Sequence, residues 1–260
     1  MKRSPQRIRR VRPNKPLWQY GQVRKRRSGR FGWLRKFPVK LVLILFVVFL
    51  AYEILTLPFL GVAQLSSKNP TQTALMEQRK AEANGKGTIL RIDYRWVPLA
   101  QIPKHVRMAV LVAEDGAFFS HAGVDWHEVR EALEDNWEEG RIVRGGSTIT
   151  QQLAKNLYLS TSKDPIRKFK ELLITWMLEN SLTKKRILEL YLNVIEWGPG
   201  VFGVEAAAQR YFHKPASQLT LNEGIRLAAV IPRPLRHRPT DDNDYVNTKT
   251  QWILKRMPNR

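Results

Sequence analysis

With 260 residues, a 43% apolar share and no cysteine, the chain can bury the core of one or two domains, while disulfides, thiol nucleophiles and cysteine metal sites are excluded. Its net charge of +21 is concentrated at one end: residues 1–40 hold 15 Lys/Arg and no acid, leaving 29 basic against 23 acidic side chains in the remaining 220. The basic extreme therefore belongs to a tail, and the rest of the chain is not marked by charge as a nucleic-acid binder.

Residues 1–36 are broken by Pro5, Pro13, Pro16, Gly21, Gly29 and Gly32, and this composition predicts a disordered tail. Residues 37–60 then read as a transmembrane helix. Phe37 to Leu57 is almost wholly apolar and has the roughly 20 residues that a spanning helix needs. Lys40 and Glu53 sit near its ends, and Trp33, Phe37 and Tyr52 suit the interfacial belts. The basic flank precedes the span, so the positive-inside rule places the N-terminus in the cytoplasm and the remainder outside a bacterial inner membrane, in the periplasm. A cleaved signal peptide is the competing reading, but the leader is long and only Gly61-Val-Ala63 offers a weak cleavage site. The tail's charge is accounted for by this topology and by attraction to anionic lipid, so no nucleic-acid partner is expected.

Residues 61–88 read as a linker with one short helix near Ala74–Ala83, and Ile89–Val97 as an extended stretch. From Val106 the spacing predicts helix after helix. Val106–Ala113 is apolar and runs directly into Glu114 and Asp115. Asp125-Trp-His-Glu128 fits a capping box and opens a helix to about Glu139. Ser147 or Thr148 caps a helix to Leu159, and Asp164-Pro165 starts another to about Leu182. The latter is expected to bury Ile166, Phe169, Leu172, Leu173, Trp176 and Met177, which recur every three or four residues. Thr183 caps the next helix, whose apolar face holds Ile187, Leu188, Tyr191 and Leu192. Glu196–Gly200 reads as a loop, Phe202–Phe212 as a helix, Thr220-Leu-Asn-Glu223 as a second capping box, and Tyr245–Arg256 as a last amphipathic helix. The result is one mostly α domain over residues 89–260.

Several residues carry possible chemistry. A carboxylate at the end of an apolar run, such as Glu114, is costly to ionise if buried, and a raised pKa suits a general acid or base. A helix simply ending in a solvated Glu-Asp pair fits the same residues. Ser147, Gln151 and Lys155 share one helix face with Gln152 and Asn156 beside it, either as a hydrogen-bonded surface or as a binding face. Arg167 and Lys168 stand four and three residues before Glu171. That spacing gives an intrahelical ion pair or, beside Lys155, a cationic pocket of the kind that a pyrophosphate requires. His121 has no second histidine at metal-ligand spacing, so a structural hydrogen bond is its better reading. Gly145-Gly146 before a helix is a weak anion-binding signal without P-loop spacing.

Taken in order, these segments resemble the peptidoglycan glycosyltransferases, which polymerise lipid II and include the transglycosylase modules of class A penicillin-binding proteins. The stretches that carry the resemblance are Glu114-Asp115 with Phe118, His121, Gly123 and Asp125; Gly146-Ser-Thr-Ile-Thr-Gln-Gln-Leu153 with Lys155-Asn156; Arg167-Lys168 with Glu171 and Glu179; Ile187-Leu-Glu189 with Tyr191-Leu-Asn193; and Gly203–Phe212 with Lys214, ending in the Leu219–Ala229 helix. The similarity covers about residues 70–260. With no transpeptidase domain before Arg260, it is to the monofunctional biosynthetic peptidoglycan transglycosylases. Two residues depart from the family pattern: His213 stands where Gly is usual, and Arg233 where Asn is common.

The resemblance implies a mostly α, lysozyme-like glycosyltransferase domain with a small membrane-proximal lobe. It implies that Glu114 is the general base and Glu171 the second essential carboxylate. It also implies that Asp115, Phe118, Ser147, Gln151, Lys155, Asn156, Arg167 and Lys168 bind substrate. The substrates implied are lipid II and the growing glycan chain, joined with inversion at MurNAc C1 as undecaprenyl pyrophosphate leaves. Cell-wall synthesis or division proteins are the partners that it implies. No cofactor is required by the sequence; a divalent cation (Mg or Mn) is compatible with the chemistry, and no ligand spacing demands it. A glycan-cleaving enzyme of lysozyme or lytic type would also use two carboxylates, with less need of the Lys155 and Arg167 cluster or of an anchor. An inactive membrane-tethered scaffold would not need Glu114, Lys155, Arg167 and Glu171 all intact.

Overall fold

A computed structural model of the chain describes residues 39–141, 145–162 and 164–258. The basic tail, with Trp33 and Phe37, lies outside the described residues. The chain divides into two compact units, Met1–Tyr52 and Glu53–Arg260.

In the first unit the described part is most of α1 (Val39–Leu55), an apolar helix with none of its residues buried. With the short α2 (Phe59–Gln64) it makes one candidate membrane span. The helix breaks before Pro58, which lacks the N–H needed to continue it.

The second unit is mostly helical. Residues 61–88, expected to be largely linker, are ordered around the end of α2 and α3 (Ala74–Gly85), which Thr73 caps through Met76 N. Arg79 on α3 pairs with the buried Glu196 at 2.8 Å, and Gln78 bonds Thr161, so this segment is fastened to the domain. Then come β1 (Asp93–Tyr94), α4 (Lys104–Glu114), α5 (Trp126–Glu138), α6 (Ile149–Tyr158), α7 (Pro165–Ser181) and α8 (Lys184–Val194). They are followed by β2 (Glu196–Gly198), β3 (Val201–Phe202), α9 (Val204–Phe212), α10 (Leu221–Val230) and α11 (Asp244–Arg256).

The polar residues that open these helices cap them, Asp125 by its own side chain without the reciprocal box expected with Glu128. Asp125, Thr148, Asp164, Thr183 and Thr220 each accept N–H bonds of the first turn, with reciprocal capping boxes at Thr148/Gln151 and Thr220/Glu223. Helix α8 is the centre of the core. Its buried residues Ile187, Leu188, Leu190, Tyr191, Leu192 and Val194 leave only its N-terminal turn outside. Asn193, also fully buried, exchanges two bonds with the Val97 backbone and so holds the strand entry against the helix.

Three expectations differ from the structure. The Glu196–Gly200 stretch is not simply a loop: β2 and β3 form a hairpin, and β1 adds in parallel to give the order β1-β3-β2. Only two residues of the Ile89–Val97 stretch are strand, because its partner β3 is itself two residues long. Helix α7 also leaves much of its apolar stripe uncovered, although Met177 is buried as expected. Ile166, Phe169, Leu172 and Trp176 are exposed, and the buried face is Glu171, Ile174, Thr175, Met177 and Leu178. Periodicity identifies an apolar face but not what covers it. On α5, Trp126, Leu133 and Trp137 are exposed as well.

Candidate active site

The site is assembled from the end of α4, the first two turns of α6 and the buried face of α7. Val106, Ala109, Val110 and Leu111 bury α4 against α10, and Gly224 permits the approach: a Cβ there would lie 2.9 Å from Val106 Cγ2. The helix ends at Glu114, which is thus delivered from an apolar face into a polar corner.

Glu114 is partly buried. Its Oε2 accepts a hydrogen bond from Gln152 Nε2 at 2.8 Å, while its Oε1 is buried with no hydrogen-bond partner. Burial pushes this carboxyl up to about 7; the Gln152 bond and the positive charges of Lys249 and Lys155 oppose the rise, and neighbouring Asp115 adds to it. Gln152 is oriented in turn by Tyr191, whose hydroxyl donates to Gln152 Oε1 at 3.0 Å. Burial first, then the carboxylates of Glu114 and Asp115, holds the Tyr191 phenol well above its ordinary value, so it stays a donor.

Asp115 is spent differently. Its Oδ2 accepts from Ile149 N at 2.9 Å, placing a carboxylate on the N-terminus of α6, and its Oδ1 lies 3.0 Å from His121 Nε2. His121 Nδ1 accepts from Gly123 N, so the proton shared with Asp115 is on Nε2. Gly123 has φ +90, and a Cβ there would meet Thr175 Cγ2 at 2.7 Å and Glu179 Cγ at 2.9 Å. Its carbonyl accepts the Thr148 hydroxyl at 2.6 Å. The loop after α4 is thereby locked to α6 and α7, and the helix N-terminus left open by the Gly145-Gly146 signal is served by the chain's own acid.

Across the site, Glu171 is 3% exposed on the inner face of α7. Arg167 Nη1 bonds its Oε2 at 2.6 Å, and the Lys168 ammonium contacts its Oε1. Arg167 Nε is fixed by Ser162 O, and Lys168 reaches Ser147 Oγ at 3.5 Å. Lys155 on α6 faces the same charges. Burial lowers its pKa, Glu171 and Glu114 raise it, and Arg167 and Lys168 lower it further. Three cations thus gather about one buried carboxylate, leaving net positive charge beside a partly protonated acid.

Of the residues singled out in sequence, Glu114, Lys155, Arg167, Lys168 and Glu171 form one electrostatic group, with Ser147 exposed at its edge. Asn156 is nearly buried beside Lys155. Three others are turned to internal use. Gln151 accepts the Thr148 N–H within the capping box, and Asp115 is engaged as above. Phe118 is completely buried, packed edge-on to Phe119 with Lys184 4.4 Å over its ring. Ser147, Gln151 and Lys168 also line a cleft of about 310 Å³ whose other walls include the apolar Val124, Trp126, Val129 and Leu172 and the polar Asn136.

Sequence reasoning passed over Gln152, Tyr191 and Lys249 as site residues. Gln152 was legible beside Gln151; Tyr191 and Lys249 lie 77 and 135 positions beyond Glu114, and nothing local ties them to it. Among the described residues, no group of three or more His, Cys, Asp or Glu side chains is placed to hold a metal ion.

Comparison with known proteins identifies the family. A family model described as Transglycosylase matches residues 86–258. A biosynthetic peptidoglycan transglycosylase of Herminiimonas arsenicoxydans is 40% identical over 225 residues, covering 86% of this chain and 94% of its own length. One from Laribacter hongkongensis is 43% identical, covering 85% of this chain and 96% of its own. One from Ralstonia nicotianae is 50% identical over 68% of this chain and 76% of its own. A mostly α domain carrying these motifs, matched by one family model and by relatives along most of their length, belongs to the transglycosylase family, among the biosynthetic peptidoglycan transglycosylases.

Proposed function

We propose that the protein polymerises lipid II into linear β-1,4 glycan strands of peptidoglycan and releases undecaprenyl pyrophosphate. The observation that carries this reading is Glu114 itself: a carboxyl pushed up to about 7, with one buried oxygen unpartnered, in the same site as Lys155, Arg167 and Lys168.

In this reading the free Oε1 of Glu114 takes the proton of the acceptor's GlcNAc 4-hydroxyl. The oxygen attacks MurNAc C1 of the donor from the face opposite the pyrophosphate. The C1–O bond forms, the C1–phosphate oxygen bond breaks, and the electron pair leaves on the pyrophosphate, so the α-linked donor becomes a β-1,4 link. Pyrophosphate is already a good leaving group, so the demands on the protein are a base, alignment and positive charge. Lys155, Arg167 and Lys168 supply that charge, and Glu171 holds the latter two in place. Ser147 and Asn156 line the approach, while Asp115 and Gln151 act through the helix ends that they secure. No step passes through a resident cofactor; a divalent cation would enter with the substrate's pyrophosphate.

The anchor suits a substrate whose polyprenyl tail stays in a bilayer, with the tail of the protein cytoplasmic and the domain periplasmic. The exposed apolar faces of α5 and α7 suit contact with lipid. Polymerisation of labelled lipid II by the wild type, and its loss in Glu114→Gln, tests the reading. Shortening of preformed glycan instead would make the protein a glycan-cleaving enzyme.

A further inference from the structure

Glu53 is the one carboxylate of α1 and the first acid of the chain. An acid in so apolar a helix is costly unless it has a partner. Its partner lies on α7. Lys170 Nζ stands 2.5 Å from Glu53 Oε2, an ion pair by distance without hydrogen-bond geometry, with side chains only 12% exposed at Glu53 and 21% at Lys170. The same ammonium donates to Thr56 Oγ1 at 2.9 Å, and that hydroxyl donates to the Glu53 carbonyl at 2.9 Å. Glu53 and Thr56 both belong to the unit Glu53–Arg260, so these contacts lie inside one compact body.

The segment that follows continues the attachment. Leu57, Val62 and Leu65 join the hydrophobic core, and α2 packs on α7. Arg186 Nε holds Leu65 O at 2.8 Å, and its Nη2 holds Lys68 O at 3.0 Å and Asn69 Oδ1 at 2.7 Å. Lys170 immediately precedes Glu171. Successive residues of a helix differ by about 100° in direction, so α7 can hold the membrane-exit segment on one flank and the Arg167–Lys168–Glu171 group on another.

We propose that the Glu53–Lys170 ion pair, backed by Thr56, sets the position of α7 and thereby of Glu171 and Arg167 in glycosyl transfer. Glu53 and Lys170 are positioning residues: neither touches substrate. The inference rests on the role given to Glu171 under the proposed function. It also explains why an otherwise apolar helix keeps a carboxylate near its end.

The test is a charge swap in the full-length protein, reconstituted in phospholipid bilayers. Glu53→Lys and Lys170→Glu each lower kcat for lipid II about fivefold or more, since a small misplacement of a catalytic group is costly. KM stays within about twofold, while the thermal midpoint falls in each single variant, whose largely buried charge has lost its partner, and recovers in the swap. The double swap returns kcat to within about twofold of wild type. Where a reversed charge prevents folding, Glu53→Gln and Lys170→Met break the pair without adding repulsion, with the same loss in kcat. Amide hydrogen exchange over residues 165–175 gives a readout that needs no turnover, rising in each single variant and returning in the swap. Wild-type kcat in the single variants, unchanged exchange, or a double swap that loses as much as the two singles multiplied would each overturn the proposal. Failure of the wild type to polymerise lipid II would instead sink the proposed function, while the exchange data still decide the coupling.

Discussion

The corner at the end of α4 and the inner face of α7 each present a glutamate to the same site, and they treat it in opposite ways. Glu171 has both oxygens held by cations, Arg167 on one and Lys168 on the other. Glu114 has one neutral hydrogen bond from Gln152 and one buried oxygen that bonds nothing. Residue type is shared; the partners are not. A base needs a vacant lone pair and a reason to accept a proton, and only the α4 corner supplies both. A carboxylate saturated by cations is suited to holding those cations in place.

The largest expected effect comes from making the α4 glutamate unable to ionise. Glu114→Gln should lower polymerisation by about 10²–10⁴-fold, the usual worth of a general base. In the wild type, kcat/KM should climb as pH rises through about 7, because the working form is the carboxylate. A profile flat from pH 5 to 8 would contradict that assignment. Stability should move the other way. The folded-state pKa lies above the ordinary value of 4.5, so the native state binds the extra proton and loses stability as pH rises from about 4.5 to 7. Glu114→Gln should therefore be more stable than wild type at pH 8 by on the order of 1–3 kcal/mol, and equal to it near pH 4, as read by denaturant unfolding.

Next is removal of one restraint from the α7 glutamate. Arg167→Ala leaves buried Glu171 with Lys168 as its one direct ion-pair partner, and should cost about 2 kcal/mol of stability along with activity. If Arg167→Ala were neutral in both, the contrast between the two glutamates would lose its basis. A smaller change tests how Gln152 is aimed. Tyr191→Phe removes the donor to Gln152 Oε1 and should cost about 1 kcal/mol, with a several-fold drop in rate and a shifted acid limb in the pH profile. The smallest effect belongs to a position outside both regions. His213 ends α9 at φ 55, a left-handed conformation that glycine adopts without strain. His213→Gly should raise stability by about 0.5–1 kcal/mol and leave the rate alone, a control showing that stability and turnover separate.

What the sequence made legible follows from how local each signal is. Asp125, Thr148, Asp164, Thr183 and Thr220 announced their helices because a cap acts within three residues. Glu171 with Arg167 and Lys168 was readable because helical spacing alone brings them together. The outward stripe of α7 was not, since Phe169 and Trp176 have the same spacing whether protein or solvent lies beyond them. The hairpin of β2 and β3 was hidden because its third strand is drawn from about 100 residues earlier. Tyr191 and Lys249 reach Glu114 only through the packing of α8 and α11, which no local pattern encodes. Arg233 lies 5.1 Å over Tyr245, whose ring also stacks on His237, so the departure from the family's common asparagine joins an aromatic stack that only the fold assembles.

Helix α6 has one more consequence. It receives Asp115 at its first turn, orients Glu114 through Gln152, and carries Lys155 one turn further on, about 4.5 Å along the axis from Gln152. The residue that aims Glu114 and the cation proposed for the leaving pyrophosphate are thus mounted on one short helix. If α6 tilts when substrate binds, Gln152 and Lys155 move together, and in the proposed reaction the aim of the base and the reach of the cation would change in step.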